Sequence, residues 1–200
     1  MSLAQNAQSQ PKSSRQLNLL DRLNGPWHRY ALLGYMIIVL AHWAEHVLQA
    51  MQVYLFHWPR PHAHGALGLA APWLVTSEWL HYGYALAMLI GLIVLRRGFV
   101  GRAATWWSIA LWIQVWHHFE HALLLGQALL QTNLLGLPAP TSILQLMFPR
   151  MELHLFYNAV VFIPMVIAIW LHRYPSEAET RMAPCTCARR QWPDRRAAGA

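Results

Sequence analysis

The sequence predicts an all-α integral membrane protein, organised as a four-helix up-down bundle with both termini in the cytoplasm. Three observations predict this fold class: few charged residues, four long apolar stretches, and an uneven distribution of Lys and Arg. Only 12% of the 200 residues are charged, whereas soluble domains contain roughly 25%. Most of these charges lie near the two ends and in one loop, a pattern typical of a chain that crosses a membrane several times.

Four apolar stretches are each long enough to cross a bilayer as a helix, which takes about 20 residues. They are residues 31–56, 73–95, 103–131 and 153–172. The chain therefore divides into a polar, basic N-terminal segment (1–29), a transmembrane domain (30–173) and a basic tail (174–200). The N-terminal segment has no apolar core followed by a cleavage site, so we expect no cleaved signal peptide. The tail is rich in Pro, Arg, Ala and Glu, and we expect it to be mostly disordered.

The positions of Lys and Arg predict how these stretches are oriented. Of the 15 Lys and Arg residues, 13 lie in the N-terminal segment, in the loop after the second stretch, or in the tail together with Arg173 just before it; the exceptions are Arg60 and Arg150. By the positive-inside rule, those three segments face the cytoplasm, so we expect a multi-pass protein of the plasma (inner) membrane. The net charge of +7 then suits anionic lipid headgroups on the cytoplasmic side. No stripe of Arg and aromatic residues indicates binding to nucleic acid.

Histidine and glutamate recur together inside these apolar stretches. "HWAEH" at 42–46 and "HHFEH" at 117–121 share the pattern H-x-x-E-H, and each occurs in a stretch predicted to run outward. Residues three and four apart share one face of a helix, so each motif presents its two histidines and its glutamate together. The second stretch has Glu78 and His81 at the same spacing. The two motifs therefore form a faint internal repeat.

The fourth stretch departs from this pattern. Glu152 and His154 are two residues apart, and such residues point nearly opposite ways on a helix. Either Glu152 lies in a non-helical first turn, or His154 pairs with Asn158 on one face and Glu152 has another role.

All four sets are expected to meet in the outer half of the membrane. Buried carboxylates in hydrocarbon must be protonated, paired, solvated or coordinated. One or two divalent metal ions would neutralise the carboxylates and accept imidazole nitrogens, and mixed Glu and His ligands suit Fe, Mn or Zn. The candidate metal ligands are His42, Glu45, His46, Glu78, His81, His117, Glu120, His121, Glu152 and His154.

Two groups of metalloproteins resemble this inventory. Ferritin-like di-iron bundles use a Glu from two helices and Glu-x-x-His from two others; here Glu78 to His81 has that spacing. The spacing His-x-x-x-His in both repeat motifs is similar to the histidine boxes of integral-membrane fatty-acid hydroxylases and desaturases. Those boxes lie on the cytoplasmic side, whereas the motifs here are expected outside, so the chain is not assigned to that family.

The first functional hypothesis is a metal-dependent, di-iron-like oxidoreductase that acts on a lipophilic substrate with O₂. A zinc-dependent hydrolase, with metal-activated water and a Glu as base, is a close alternative. A b-type haem could be ligated by His46 with His121, or by His42 with His117, although such a site does not need four carboxylates. Metal or proton transport and a purely structural hydrogen-bonding role also remain open. Whether the chain is an enzyme is left undecided at this level.

Two smaller features also bear on metal binding. His62 and His64, in the first outer loop, would suit an entry path for a metal ion. Cys185 and Cys187 lie in the tail, where a reducing cytoplasm makes a disulfide improbable. A pair of soft-metal ligands is the alternative for these cysteines.

Overall fold

The structure is a computed structural model that describes residues 17–185 and 187, and all regular structure within this part of the chain is helical. The prediction of an all-α protein is therefore confirmed. The helices are α1 (Leu19–Asn24), α2 (His28–Tyr54), α3 (Gly65–Ala70), α4 (Pro72–Val75), α5 (Glu78–Leu95), α6 (Gly101–Leu130), α7 (Arg150–Arg173) and α8 (Glu177–Met182). Short 3₁₀ turns lie at Arg60–His62, Arg96–Gly98, Leu134–Gly136 and Leu144–Leu146.

Three of the four long helical segments are long and apolar enough to cross a membrane: His28–Tyr54, Glu78–Gly98 and Arg150–Arg173. The fourth, α6, has 30 residues, but its polar residues, including Gln114 and Glu120, make it less apolar. The second stretch divides near its start, because Ser77 caps α5 by accepting a hydrogen bond from the backbone N–H of Trp79 at 3.2 Å. The up-down arrangement across a membrane and the cytoplasmic termini stay predictions.

The hydrophobic core lies in the first halves of α2 and α6 and the second halves of α5 and α7. These are the halves that the predicted topology places on the cytoplasmic side. Helix α6 packs against α5 and α7, and α2 packs against both of these. Trp107 is fully buried, stacks on Phe99 with ring centroids 4.1 Å apart, and donates a hydrogen bond from Nε1 to the Leu92 carbonyl at 2.8 Å. Tyr35 donates to the Met88 carbonyl at 2.9 Å. These buried donors are satisfied across helix boundaries, as buried polar groups usually are.

Two glutamines hold against the bundle the two connections that are predicted to be outside, residues 55–77 and 131–149, which we call the outer segments. Gln52 accepts a hydrogen bond from the Gly65 N–H at 2.8 Å, which fixes the start of α3. Gly65 has φ +71°, a left-handed conformation that costs other residues about 1–2 kcal/mol. Gln127 accepts hydrogen bonds from the N–H groups of Leu134 (2.8 Å) and Thr141 (3.2 Å). Both outer segments are thus attached to the helices that carry the H-x-x-E-H motifs.

The first part of the tail is folded, unlike the mostly disordered tail that its composition predicts. Ser176 and Glu179 form a capping box at the start of α8, an arrangement that satisfies backbone donors at a helix N-terminus. Glu179 also accepts hydrogen bonds from Arg102, whose Nη2 lies 2.9 Å from Oε2. This pair holds α8 against the start of α6. The remaining expectations for residues 1–16, 186 and 188–200 lie outside the described residues.

Candidate metal centre

Six histidine side chains from the four long helices meet inside the bundle. Neighbouring ring centroids are between 4.6 Å (His42 to His46) and 6.5 Å (His46 to His81) apart. Five of the six are buried, and His81 is partly exposed. The six are His42 and His46 on α2, His81 on α5, His117 and His121 on α6, and His154 on α7. All six belong to the ten candidates, and we call them the histidine cluster.

Three members of the cluster have the tautomer fixed by an oxygen acceptor. Nδ1 of His154 lies 2.7 Å from the Arg150 carbonyl oxygen, and Nδ1 of His81 lies 3.1 Å from that of Ser77. Nδ1 of His46 lies 2.8 Å from Gln49 Oε1. Because these oxygens only accept, each Nδ1 carries the proton and each Nε2 keeps its lone pair. Metal-ligating histidines are usually oriented by such a bond on the second ring nitrogen.

Several ring nitrogens in the cluster lack a hydrogen-bond partner among the described residues. The buried nitrogens without a partner are Nε2 of His46 and of His154, and Nδ1 of His117 and of His121. Nε2 of His117 and Nε2 of His121 lie 3.2 Å apart, close to the edge of about 3.3 Å between two nitrogens of a tetrahedral zinc site. Buried polar atoms without partners are uncommon and call for an explanation.

An open cavity of about 520 Å³ reaches the cluster from the side of the outer segments. His46, His81 and His154 line its inner part, and Arg150 and His64 also line it. The first outer loop therefore contributes one of its two expected entry-path histidines, whereas His62 does not line this cavity. A second cavity of about 210 Å³, lined by apolar residues that include Leu80 and also by Glu45 and Gln49, reaches the same cluster between α2 and α5.

Two of the four candidate glutamates lie beside the histidine cluster, since Glu45 lines the second cavity with His42, His46 and His81, and Glu120 lines a small cavity with His117, His121 and His154. Both also accept hydrogen bonds from backbone donors of the outer segments. Glu45 accepts from the N–H groups of Leu67 (2.9 Å) and Ala66 (3.2 Å), at the start of α3. Glu120 accepts from the N–H of Leu144 at 2.9 Å. Metal ligation by these carboxylates stays a prediction; in this structure they hold the outer segments in place.

The other two glutamates are paired with arginine. Both carboxylate oxygens of Glu78 accept hydrogen bonds from Arg150, at 2.6 and 2.7 Å. Glu152 accepts from Arg60 at 2.5 and 3.0 Å, and Tyr54 donates to the same carboxylate. Hydrogen bonding to that carboxylate raises the pKa of Arg60 above its usual range. Glu152 lies in the first helical turn of α7, so the alternative of a non-helical first turn is wrong.

The internal repeat extends beyond the two motifs that reveal it in the sequence. His81-x-x-Tyr84 on α5 and His154-x-x-Tyr157 on α7 are equivalent. Tyr84 stacks on His42 with ring centroids 4.7 Å apart, and Tyr157 contacts His117 at 4.2 Å. The glutamates and glutamines that hold the two outer segments also occupy equivalent positions. Each half of the chain thus contributes three histidines and one tyrosine to the centre.

A second group of possible ligands lies near the other end of the long helices. One ligand atom from each of His28, His172, Cys185 and Cys187 lies within 4.8 Å of the others. Three of these residues are buried and Cys187 is partly buried. The two cysteine sulfurs are at disulfide distance, although the sequence made a disulfide improbable. This His/Cys group could bind a metal ion.

Some of these contacts are indicated by sequence features other than the spacing of His and Glu. Arg60 and Arg150 are the two basic residues outside the predicted cytoplasmic segments, and they pair with Glu152 and Glu78. The tyrosine three residues after each histidine on α5 and α7 was a second available signal. No sequence feature indicates that His28 and His172 lie together, because they are at the two ends of the transmembrane domain and periodicity does not report such contacts.

Comparison with known proteins gives no family model, curated protein or solved structure that matches the chain. Function is therefore argued from the centre itself.

Proposed function

We propose that this protein is a membrane-embedded metalloenzyme whose histidine cluster binds one or two transition-metal ions for redox chemistry on a lipophilic substrate. One observation carries the proposal: six imidazoles from four helices converge while several of their buried ring nitrogens lack partners among the described residues. A metal ion bound by the cluster would take the free lone pairs of Nε2 of His46 and of His154. Among the described residues, the group of at least three ligand atoms that lie within 4.8 Å of one another is that of His28, His172, Cys185 and Cys187, so coordination by the histidine cluster requires rotations of its imidazoles.

The donor set narrows the choice of metal. Imidazole suits zinc, copper, iron and nickel, whereas manganese and magnesium prefer carboxylates. Because all four glutamates already accept hydrogen bonds, we assign metal binding to the histidines alone. The glutamates then have a positioning role. An all-imidazole set without a carboxylate favours copper or zinc over a di-iron centre, and copper supplies the redox chemistry.

The cavities support an open coordination position and an apolar substrate. Catalytic metal sites commonly use three protein ligands and leave one position for water or substrate. His46, His81 and His154 face the larger cavity in this way. The smaller cavity gives an apolar approach between α2 and α5. Metal-assisted hydrolysis is less well supported, because Glu45, Glu78 and Glu152, the carboxylates nearest in sequence to these histidines, are already engaged as hydrogen-bond acceptors.

The haem alternative is less well supported by the packing. A bis-histidine haem lies between its two axial imidazoles. The ring of His154 has centroid distances of 5.2 Å to both His46 and His121. A third imidazole therefore lies close to both members of one of the two ligand pairs that the sequence suggested, where a haem would need space.

The test is metal analysis of the full-length protein purified in detergent after growth with copper, zinc or iron. We expect stoichiometric copper or zinc in the parent protein and a large loss in His46→Ala and His154→Ala. His118→Ala is the matched control, because His118 is adjacent to a cluster residue on α6 but contacts Tyr82 instead. That variant should retain its metal.

The outcomes separate the two parts of the proposal. Metal content that is equally low in the parent and in the cluster variants would overturn the metal site itself. Bound zinc without copper, and without a redox-active absorption or electron paramagnetic resonance signal, would leave the site standing and overturn the redox assignment. A stoichiometric haem spectrum lost in His46→Ala would establish the cytochrome alternative.

A further inference from the structure

A four-residue group of histidine and cysteine lies far from the histidine cluster. His28 begins α2 and is separated from His46 by about 27 Å along the helix, at 1.5 Å per residue. Its partners are His172 at the end of α7 and the two tail cysteines, Cys185 and Cys187. Three separate parts of the chain therefore contribute to one buried group, which the proposed function does not use.

We propose that this group is a structural zinc site, formed when the two cysteines are thiolates. Nε2 of His172 lies 2.8 Å from Cys187 Sγ and 3.3 Å from Cys185 Sγ, and Nδ1 of His28 lies 3.6 Å from Cys187 Sγ. A sulfur and a nitrogen bound to the same tetrahedral zinc ion are about 3.6 Å apart. Small side-chain rotations that separate the sulfurs give that arrangement.

The surroundings favour a metal over an isolated disulfide. A disulfide sulfur has no proton and is a weak acceptor, so it gives two buried imidazoles little to bond. Two thiolates and two imidazoles form an S₂N₂ set, which is typical of zinc or of an iron–sulfur centre, and a single ion of zinc fits four ligands that meet at one point. The predicted cytoplasmic location of the tail would keep the cysteines reduced, and on binding each thiol releases its proton to solvent.

The site would be structural because its four ligands complete the tetrahedron. Structural zinc sites are closed in this way, whereas catalytic sites keep an open position. Zinc here would join the tail to the ends of α2 and α7. Cys185 and Ala183 are buried together against Val100, so the metal would reinforce packing that already holds the tail in place.

The experiment uses full-length protein purified in detergent with a phosphine reductant, loaded with zinc and desalted. We expect the parent to hold one zinc ion more per chain than the double variant Cys185→Ser/Cys187→Ser. Replacement of zinc by cobalt should give a thiolate-to-cobalt absorption band in the parent that the double variant lacks. Variants of the histidine cluster should keep this band, which separates the two sites.

A glycine pair provides a test that removes no ligand. A Cβ at Gly98 would overlap the ring of His28, whereas nothing lies within 4 Å of a Cβ at Gly34. Gly98→Ala should lower zinc affinity about tenfold or more, by displacing a ligand, and Gly34→Ala should not change it. Equal zinc in parent and double variant, or no thiolate-to-cobalt band in the reduced parent, would overturn the proposal. Cysteines that resist alkylation under reducing conditions without bound metal would establish a stable disulfide instead.

Discussion

Glu45→Gln separates the two roles open to the glutamates, metal ligand and anchor of an outer segment. The Glu45 carboxylate accepts hydrogen bonds from the Leu67 N–H at 2.9 Å and the Ala66 N–H at 3.2 Å. Glutamine has nearly the same shape, but its amide keeps one acceptor oxygen and turns an NH₂ group toward the other backbone donor. The substitution therefore removes one charge-assisted hydrogen bond and keeps the packing.

The magnitude follows from that single lost bond. A hydrogen bond to a charged group contributes about 1.5–3 kcal/mol, and Glu45 is only partly buried. We therefore expect the free energy of unfolding to fall by about 1.5 kcal/mol. Chemical unfolding in detergent measures this loss, and metal analysis of the same sample should give the stoichiometry of the parent. Glu120→Gln, at the equivalent position of the repeat, should lose less stability, because the glutamine oxygen can keep the hydrogen bond from the Leu144 N–H, and its metal stoichiometry should also match that of the parent.

The result that would refute this reasoning is a loss of bound metal in Glu45→Gln at unchanged stability. A carboxylate that balances the charge of a cation cannot be replaced by a neutral amide without weakening the metal site. That outcome would restore the glutamate as a ligand, as the sequence pattern first suggests.

Three further perturbations test other contacts. Gly65→Ala places a Cβ against the Glu45 carboxylate at a positive φ; it should cost about 1–2 kcal/mol from the backbone conformation alone, measured by chemical unfolding. Glu78→Gln leaves Arg150 without its charged partner and should cost about 1–3 kcal/mol, between the values for exposed and buried pairs, by the same measurement. Hydrogen bonding to Arg102 lowers the pKa of Glu179, so this stabilisation is fully present above about pH 4.3 and is lost as the pH falls toward the lowered folded pKa. Glu179→Gln should remove that acid dependence of the melting temperature.

Much of the helical framework was predictable because it depends on local pattern. The four apolar stretches gave the long helices to within a few residues, apart from the separate turn of α4 at Pro72–Val75. The i, i+3 and i+4 spacing of His42 and His46, and of His117 and His121, placed each pair on one face. Both pairs, with the histidines of α5 and α7, do meet in the structure.

The partners of the glutamates could not be predicted from spacing. Arg60 and Glu152, like Arg150 and Glu78, are far apart in sequence, and periodicity along a helix carries no information on such contacts. Each glutamate was therefore assigned to its nearest histidine. The tail was missed for a related reason: its composition resembles a disordered segment, while Arg102, the residue that holds Glu179, lies in another helix.

The equivalence of the two halves has a consequence for how the centre is assembled. Each half supplies two histidines from its first long helix and one from its second, together with a tyrosine in ring contact with one of them. This is the arrangement that fusion of two copies of a helical hairpin, once a symmetric dimer, would produce. The centre lies where the two halves meet, with His81 of one half 5.8 Å from His154 of the other between ring centroids. Separately expressed halves would have to associate before either could present a complete set of imidazoles.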